Sequence, residues 1–192
     1  PVAVPVVTVA GTNGKGSTVA VLEAILGGVG KRTGVYTSPH LLRFNERIRV
    51  GGVDASDAEI IAAFRDVDDA RGDTSLTYFE FATLAALLVF RARAVDVLVL
   101  EVGLGGRLDA VNIVDPTVAV ITRIDLDHQA WLGLDRGSIA REKAGILRRG
   151  VPAVLGDPQP PPELIESAFA CGSQPVLRLG SEFSFESRGD HW

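Results

Sequence analysis

The sequence predicts an α/β domain whose mostly parallel sheet is covered by helices on both faces. Short β-branched runs alternate with longer segments of helical spacing along the 192 residues, and this alternation is typical of parallel sheets. A glycine-rich turn separates the first predicted strand from the first predicted helix, an arrangement suited to binding an anion. Because ligands bind at the carboxyl ends of the strands in such sheets, we expect the functional residues there.

Each predicted element follows from its local pattern. The strands are apolar, β-branched runs between turn residues: Val4 to Ala10, Thr33 to Thr37, Ile48 to Val53 (a hairpin around Gly51-Gly52), Asp96 to Val102, Thr117 to Thr122, Ala153 to Leu155, Val176 to Leu179 and Phe183 to Phe185. The helices have apolar residues at helical spacing: Ser17 to Leu26, Ser56 to Arg71, Phe79 to Arg93, Ser138 to Leu147 and Glu163 to Ala170. In the first helix, Val21, Leu22, Ile25 and Leu26 form the expected apolar face. A proline-rich break at 156–162 precedes the last helix and strands.

Composition supports one folded domain and excludes several classes of protein. Hydrophobic residues make up 46% of the chain, which can build a core, and the net charge of −5 does not favour a nucleic-acid partner. The longest apolar runs are too short to cross a bilayer, and we expect no secretory leader. The single cysteine, Cys171, excludes an intrachain disulfide and fits a reducing compartment. We therefore expect a cytoplasmic protein without nucleic-acid or membrane partners.

A candidate phosphate loop follows the first strand. It comprises Gly11, Thr12, Asn13, Gly14, Lys15, Gly16 and Ser17. Glycines let several backbone N–H groups converge on one anion, the helix N-terminus adds a positive dipole end, and Lys15 adds a charge for the outer phosphates. Ser17 or Thr18 could offer a hydroxyl to Mg²⁺. The strict Walker A pattern fails, because Val9 and Gly16 stand where Gly and Ser or Thr are required. A glycine turn with a solvated lysine is the alternative.

Three further segments carry candidate metal ligands. Ser38 follows the second strand, and its hydroxyl could reach a metal on the phosphates; a simple turn is the alternative. Glu101 ends a buried strand, where a carboxylate is costly unless it is paired or bound to a cation such as Mg²⁺. Pairing with Arg107 is the alternative there. His128 is either a ligand or a structural histidine, and imidazole favours transition metals, so both interpretations stay open.

Six motifs in fixed order resemble those of the Mur ligase family. They are GTNGKGS (11–17), TSPHL (37–41), LTYFE (76–80), LEVGLGGRLDA (100–110), LDHxxxLG (126–133) and REKAGI (141–146). Each motif is moderately specific alone, and the set is highly specific. Within the family, the motifs are most similar to the branch of bacterial dihydrofolate and folylpolyglutamate synthases.

The resemblance implies a fold and a reaction. The fold would be the P-loop NTPase-like central domain of a Mur ligase. The reaction would be ATP- and Mg²⁺-dependent amide formation between L-glutamate and either dihydropteroate or a folyl-glutamate, through an acyl phosphate. The resemblance also assigns roles: loop residues 11–17 to ATP, with Lys15 catalytic, and Ser38, Glu101 and His128 to Mg²⁺. Lys143 would be catalytic as a carbamate formed with CO₂; a surface lysine beside Glu142 is the alternative.

The resemblance further implies a dihydropteroate site. Its residues would be Thr77, Tyr78, Phe79, Glu80, Leu108, Asp109 and Ala110. Aromatic rings can stack on a pterin, and carboxylates can accept hydrogen bonds from its N–H groups. Core packing at the start of a helix is the alternative for Tyr78 and Phe79.

The chain also departs from the family pattern. Family members have a helical segment before the loop strand and a C-terminal domain that contributes to the glutamate site. We therefore expect residues 1–192 to be the ATP-binding central domain of a monomer, without the glutamate-ligase domain and inactive alone. Two alternatives remain: a ligase of the same fold acting on a UDP-muramyl peptide, and a non-catalytic nucleotide-binding module. The GKGS loop and the LEVGLGGRLDA segment favour the folate branch.

Overall fold

A single mixed sheet forms the centre of the part of the chain that the computed structural model describes, residues 2–126 and 135–186. Its strands are β1 (Val6–Ala10), β2 (Thr33–Tyr36), β3 (Ile48–Val50), β4 (Val53–Asp54), β5 (Val97–Glu101), β6 (Val118–Ile121), β7 (Ala153–Leu155) and β8 (Val176–Arg178). They lie in the order β4-β3-β2-β5-β1-β6-β7-β8, and every pairing from β2 to β8 is parallel. The hairpin of β3 and β4 is antiparallel and forms one edge. The predicted, mostly parallel sheet is confirmed.

Helices cover both faces of this sheet. Their bounds are α1 (Lys15–Gly28), α2 (Asp57–Arg71), α3 (Tyr78–Ala92), α4 (Arg136–Lys143) and α5 (Pro162–Cys171). A capping box begins α2, in which Ser56 accepts the Glu59 N–H and the Glu59 carboxylate accepts the Ser56 N–H. None of the described helices is long and apolar enough to span a membrane.

Alternation along the strands builds the two sides of the core. Val9, Val35 and Val99 face α1, whereas Tyr36, Leu98 and Leu100 pack with α2 and α3 on the opposite side. A further apolar cluster, which includes Ala10, Ile121, Ile139 and Leu164, joins α4 and α5 to the same side as α3. Every strand through the centre is therefore buried on both faces, as parallel strands require.

The apolar face predicted for α1 is partly wrong. Val19 is buried, and Leu22 and Leu26 pack beside it, whereas Val21 and Ile25 are 49% and 58% exposed. A helix that lies on a sheet buries only the stripe at i, i+3 and i+7, here residues 19, 22 and 26. Val21 and Ile25 lie roughly 90–130° around the helix from the middle of that stripe.

Two predictions near the C-terminal end also differ from the structure. The predicted strand Phe183 to Phe185 is absent from the described residues, where Phe183 makes one isolated bridge to Leu179 and Phe185 is exposed. The predicted helix from Ser138 to Leu147 begins two residues earlier and ends at Lys143, followed by a 3-10 turn over Ala144–Ile146. A tighter turn fits there because Gly145 lies directly against the backbone of Arg107.

Candidate active site

The carboxyl ends of four adjacent strands bring the sequence motifs together. β2, β5, β1 and β6 are consecutive in the sheet and run in the same direction. They lead respectively into Ser38, the loop after Glu101, the glycine-rich loop and the segment 122–126. Motifs far apart in sequence thus meet along one edge, where the sequence predicted the site.

The glycine-rich loop has the conformation of an anion-binding turn. Gly11 has φ +148°, and a Cβ there would overlap the Thr122 hydroxyl, so this position requires glycine. Gly14 is the N-cap of α1 with φ +86°, and no side chain of the described residues caps this helix start. The first N–H groups of α1 therefore remain available to a phosphate, together with the positive end of the helix dipole.

The segment after β6 fixes the loop backbone. The Thr12 N–H donates to the Arg123 carbonyl at 2.8 Å. The Thr12 hydroxyl donates to the Asp125 carbonyl and accepts the Asp125 N–H, both at 3.0 Å. The Thr122 hydroxyl donates to the Asn13 carbonyl at 2.8 Å. The loop is thus held in shape by its neighbour before any ligand binds, which lowers the cost of ordering it around phosphates.

Two lysine side chains converge on one carbonyl of the loop. Lys15 Nζ lies 3.0 Å from the Gly11 oxygen, and Lys143 Nζ lies 2.9 Å from the same atom. Lys143 is only 4% exposed, and the neighbouring Glu142 pairs instead with Arg107. The alternative of a surface lysine beside Glu142 is therefore wrong. The charge of Lys15 and the donors of both side chains favour an anionic ligand at this point.

Glu101 and Ser38 meet beside the start of α1. Glu101 is 5% exposed, and its Oε2 accepts the Ser38 N–H at 3.2 Å. A Cβ placed on Gly16 would lie 4.0 Å from Glu101 Oε1, so the carboxylate borders the loop. Burial raises the pKa of Glu101, although the Ser38 N–H and the charge of Lys15 oppose the shift. Arg107 pairs with Glu142, so it is not the partner of Glu101 that the alternative required.

These oxygen donors fit Mg²⁺. A buried carboxylate and a hydroxyl beside a phosphate loop are ligands that this hard cation prefers, and its charge would offset the burial of Glu101. His128, the third predicted ligand, lies outside the described residues. Among residues 2–126 and 135–186, no group of three or more His, Cys, Asp or Glu side chains could hold a metal alone. Phosphate oxygens and waters are the usual further ligands of this cation.

The two aromatic residues predicted to bind dihydropteroate have different environments. Phe79 is partly buried, with its ring against Gly103 and 5.7 Å from the ring of Tyr36. Tyr78 is 61% exposed, and the guanidinium of Arg47 lies 5.4 Å from its ring centre. Core packing thus describes Phe79, whereas the Tyr78 ring is open to a stacking ligand.

The polar residues of that predicted set have structural partners of their own. Thr77 accepts the Glu80 N–H at 3.2 Å, and Glu80 accepts the Thr77 N–H at 2.7 Å, which caps α3 and lowers the pKa of Glu80. Asp109 caps the 3-10 turn Ala110–Ile113 through the Val111 N–H and also accepts the Leu104 N–H, each at 2.9 Å. Leu108 is 80% exposed. Each of these carboxylates keeps lone pairs for a ligand.

Asp109 is a buried carboxyl that interacts electrostatically with Lys143, the lysine that donates to the phosphate loop. Burial raises its pKa, while backbone N–H groups and the charge of Lys143 oppose the shift. Burial raises the pKa of Tyr36, and the negative charge of Asp109 adds to that rise. The carboxyl of Asp109 therefore lies within electrostatic range of Tyr36 on β2 and of the buried Lys143.

Sequence reasoning missed one buried acid at the same edge. Asp157 follows β7, is 2% exposed and pairs with Arg136 at 2.9 Å. It has the pattern that identified Glu101, an acidic residue shortly after an apolar strand. Asp157 lies within the proline-rich segment 156–162, which the sequence predicted to be a break in the chain and not part of a site.

The fold and the site together define an α/β domain with an anion-binding type of loop at the carboxyl ends of its parallel strands. The family model of the Mur ligase middle domain matches residues 9–154, and the chain belongs to the Mur ligase family.

Particular relatives lie in the folate branch. The dihydrofolate synthase/folylpolyglutamate synthase of Escherichia coli is 51% identical over 187 residues, which are 97% of this chain and 44% of that protein. The folylpolyglutamate synthase of Lacticaseibacillus casei is 40% identical over 91% of this chain and 41% of that protein. The chain therefore spans less than half the length of these curated relatives.

Solved structures of folate-branch enzymes are also similar to this chain. The structure of E. coli FolC in complex with DHPP and ADP has a TM-score of 0.94 and 52% identity, over 96% of this chain and 44% of that one. The bifunctional enzyme of Yersinia pestis, complexed with AMPPNP and Mn ion, has a TM-score of 0.91 and 54% identity, over 95% of this chain and 44% of that one.

Proposed function

We propose that this chain is the ATP-binding central domain of a bifunctional dihydrofolate synthase/folylpolyglutamate synthase. The enzyme would join the amino group of L-glutamate to the carboxylate of dihydropteroate or of a folyl-glutamate, with ATP and Mg²⁺. The observation that carries the proposal is the convergence of Lys15, Lys143, Ser38 and Glu101 on one phosphate loop. The folate-branch relatives support the choice of substrates.

The first step activates the acceptor carboxylate. One of its oxygens attacks the γ-phosphorus of ATP, the bond to the β-phosphate oxygen breaks, and ADP and an acyl phosphate result. The loop N–H groups of residues 11–17 and the Lys15 ammonium would hold the phosphates in line for this displacement. Ser38, Glu101 and His128 would hold Mg²⁺, which neutralises charge on the phosphate oxygens when it is bound.

The second step forms the amide. The neutral amine of glutamate attacks the acyl carbonyl, and the tetrahedral intermediate expels inorganic phosphate. Water must be kept away from the acyl phosphate, because hydrolysis would waste the activated group. The glutamate site would lie in the part of the longer enzyme that the 192 residues do not include.

Lys143 is proposed to act as a carbamate. Its amine, once neutral, would attack CO₂, so that a cation becomes an anion with two oxygen donors near a metal. The buried position beside the loop supports this role, because burial favours the neutral amine. The carbamate nitrogen would keep one N–H, so it would remain able to donate to the Gly11 carbonyl.

The dihydropteroate site is proposed at the start of α3 and the neighbouring loop. The open ring of Tyr78 would stack on the pterin, and Asp109 or Glu80 would accept hydrogen bonds from it. Thr77, Phe79, Leu108 and Ala110 would shape the pocket. We further propose a monomer that works in the reducing cytoplasm, as the single cysteine favours.

Phosphate release tests the proposal. The protein encoded by the uncut reading frame and the 192-residue chain are assayed side by side with ATP, Mg²⁺, glutamate and dihydropteroate. We expect release that needs both substrates in the longer protein, and none in the shorter one. Release that follows a UDP-muramyl peptide instead would move the assignment to a cell-wall ligase. Nucleotide binding without any turnover in the longer protein would indicate a binding module.

A further inference from the structure

Asp157 is a buried carboxylate that the proposed mechanism does not use. It is 2% exposed, and both of its oxygens are engaged. Oδ2 accepts the Ile124 N–H and an Arg136 guanidinium N–H, each at 2.9 Å. Oδ1 accepts the Gln159 N–H at 2.9 Å. These three donors, one guanidinium and two backbone N–H groups, hold the Asp157 carboxylate in one orientation. Loss of Arg136 would leave the buried negative charge of Asp157 without a cationic partner.

Arg136 donates to the carbonyls of the two residues, Ile124 and Gln159, whose N–H groups Asp157 accepts. Its Nε donates to the Ile124 carbonyl at 2.9 Å, and its Nη2 also donates to the Gln159 carbonyl at 3.0 Å. The Asp157–Arg136 pair therefore holds both the N–H and the carbonyl of Ile124. It fixes the point where the chain leaves β6 and the point where α4 begins.

Both of those points lead to the phosphate loop. The neighbours of Ile124 on either side, Arg123 and Asp125, make the hydrogen bonds to Thr12 at 2.8 and 3.0 Å. In the other direction, Arg136 is the first residue of α4 and Lys143 is the last, with its Nζ 2.9 Å from the Gly11 carbonyl. Two separate chains of contacts thus run from the pair to adjacent residues of the loop.

We propose that the Asp157–Arg136 pair is a positioning device that sets the phosphate loop for nucleotide binding. This inference rests on the proposed function, because it assigns the loop to ATP phosphates. The pair touches no phosphate itself and acts through Thr12 and Lys143. Without the Asp157 charge, Arg136 and the Ile124 N–H lose the acceptor that they share. Part of the free energy of nucleotide binding is then needed to order the loop, so the affinity falls. A pair that only stabilises the fold would leave the affinity of the folded protein unchanged.

The test measures ADP binding by calorimetry, without a divalent cation, in the protein from the uncut reading frame. Asp157→Asn keeps the shape of the side chain and removes its charge. We expect ADP binding about tenfold weaker, in protein whose circular dichroism shows it folded at the assay temperature. The matched control is Asp115→Asn. It breaks the 2.6 Å bond from Arg148, which like Arg136 also donates to backbone carbonyls. Its ADP affinity should match the wild type.

Arg136→Gln is the second variant, and it leaves the backbone donors to Asp157 in place. It should weaken ADP binding several-fold, and the double variant should bind no more weakly than Asp157→Asn alone, because the two residues act as one unit. Lowered thermal stability with wild-type ADP affinity in both single variants would overturn the inference and leave the proposed function standing. Failure of the wild type to bind ADP both with and without Mg²⁺ would overturn both.

Discussion

Glu101 shows how one side chain can be costly for the fold and useful for the chemistry. Its carboxyl lies at the end of a strand that is buried on both faces, and burial raises its pKa. The same burial places an oxygen ligand next to a loop suited to phosphates. A divalent cation bound there would offset the desolvation free energy of the Glu101 carboxylate. At the residue scale, the site is therefore a set of charges that are balanced only when the ligands are bound.

The raised pKa of Glu101 gives a pH prediction for the protein without divalent cations. A carboxyl with a raised folded pKa contributes stability below its unfolded pKa and loses it as the pH rises through the folded value. Glu101→Gln removes that dependence. The melting temperature of the variant relative to the wild type should therefore increase as the pH rises above about 4, the unfolded pKa of a glutamate. Glu166→Gln, an exposed control on α5, should track the wild type, and a constant offset for both variants would contradict the burial argument.

Lys15 should be essential to turnover. Lys15→Ala removes an ammonium group at the loop, where charge on the transferred phosphoryl group must be stabilised, so the rate of phosphate release should fall by about 100-fold or more. The assay uses saturating ATP and both substrates. Lys31→Ala, an exposed lysine beyond the end of α1, is the control and should keep full activity. Near-normal release by Lys15→Ala would remove this residue from the phosphate site.

At the element scale, the loop between β1 and α1 depends on contacts with another strand. The hydroxyl of Thr122 and the backbone of 123–125 hold it from β6. Helix α3 plays a comparable part on the acceptor side, since its N-terminal cap orders the residues proposed to bind dihydropteroate. The candidate site is therefore formed by residues at the ends of strands and helices, and not by residues in their middle.

Gly11→Ala should destabilise the protein by about 2 kcal/mol or more, because the added Cβ would overlap the Thr122 hydroxyl and force the two segments apart. Urea unfolding measures the free energy. Gly27→Ala is the matched control, because a Cβ in that position of α1 meets no other atom within 4 Å. It should leave stability unchanged or raise it by roughly 0.5–1 kcal/mol through helix propensity. Equal losses in the two variants would refute the proposed overlap.

The caps of α2 and α3 offer a second test at this scale. Thr77→Ala and Ser56→Ala each remove a hydroxyl that accepts an N–H three residues later, and each should cost about 1 kcal/mol in urea unfolding. Only Thr77→Ala should also weaken dihydropteroate binding, measured by calorimetry, because Thr77 belongs to the proposed acceptor site. Equal dihydropteroate affinity in the two variants would place that site elsewhere.

At the scale of the whole molecule, the sequence was enough to predict the fold class and the edge of the sheet that carries the motifs. Apolar, β-branched runs located the strands other than the one expected at Phe183 to Phe185. The loop glycines, Lys15 and Glu101 stood out because each is unusual beside an apolar run. The sequence alone could not reveal that Asp157 meets Arg136, since that contact depends on β6 and β7 being neighbours in the sheet. Nor could it choose the buried stripe of α1, because that helix is apolar on more than one side.

The central claim is that this edge of the sheet activates a carboxylate as an acyl phosphate. The most direct test supplies the protein from the uncut reading frame with dihydropteroate whose carboxylate carries oxygen-18, together with ATP, Mg²⁺ and glutamate. Mass spectrometry of the released phosphate should find one labelled oxygen per turnover, because the carboxylate oxygen that attacks phosphorus leaves with it. Amide product accompanied by unlabelled phosphate would contradict the account.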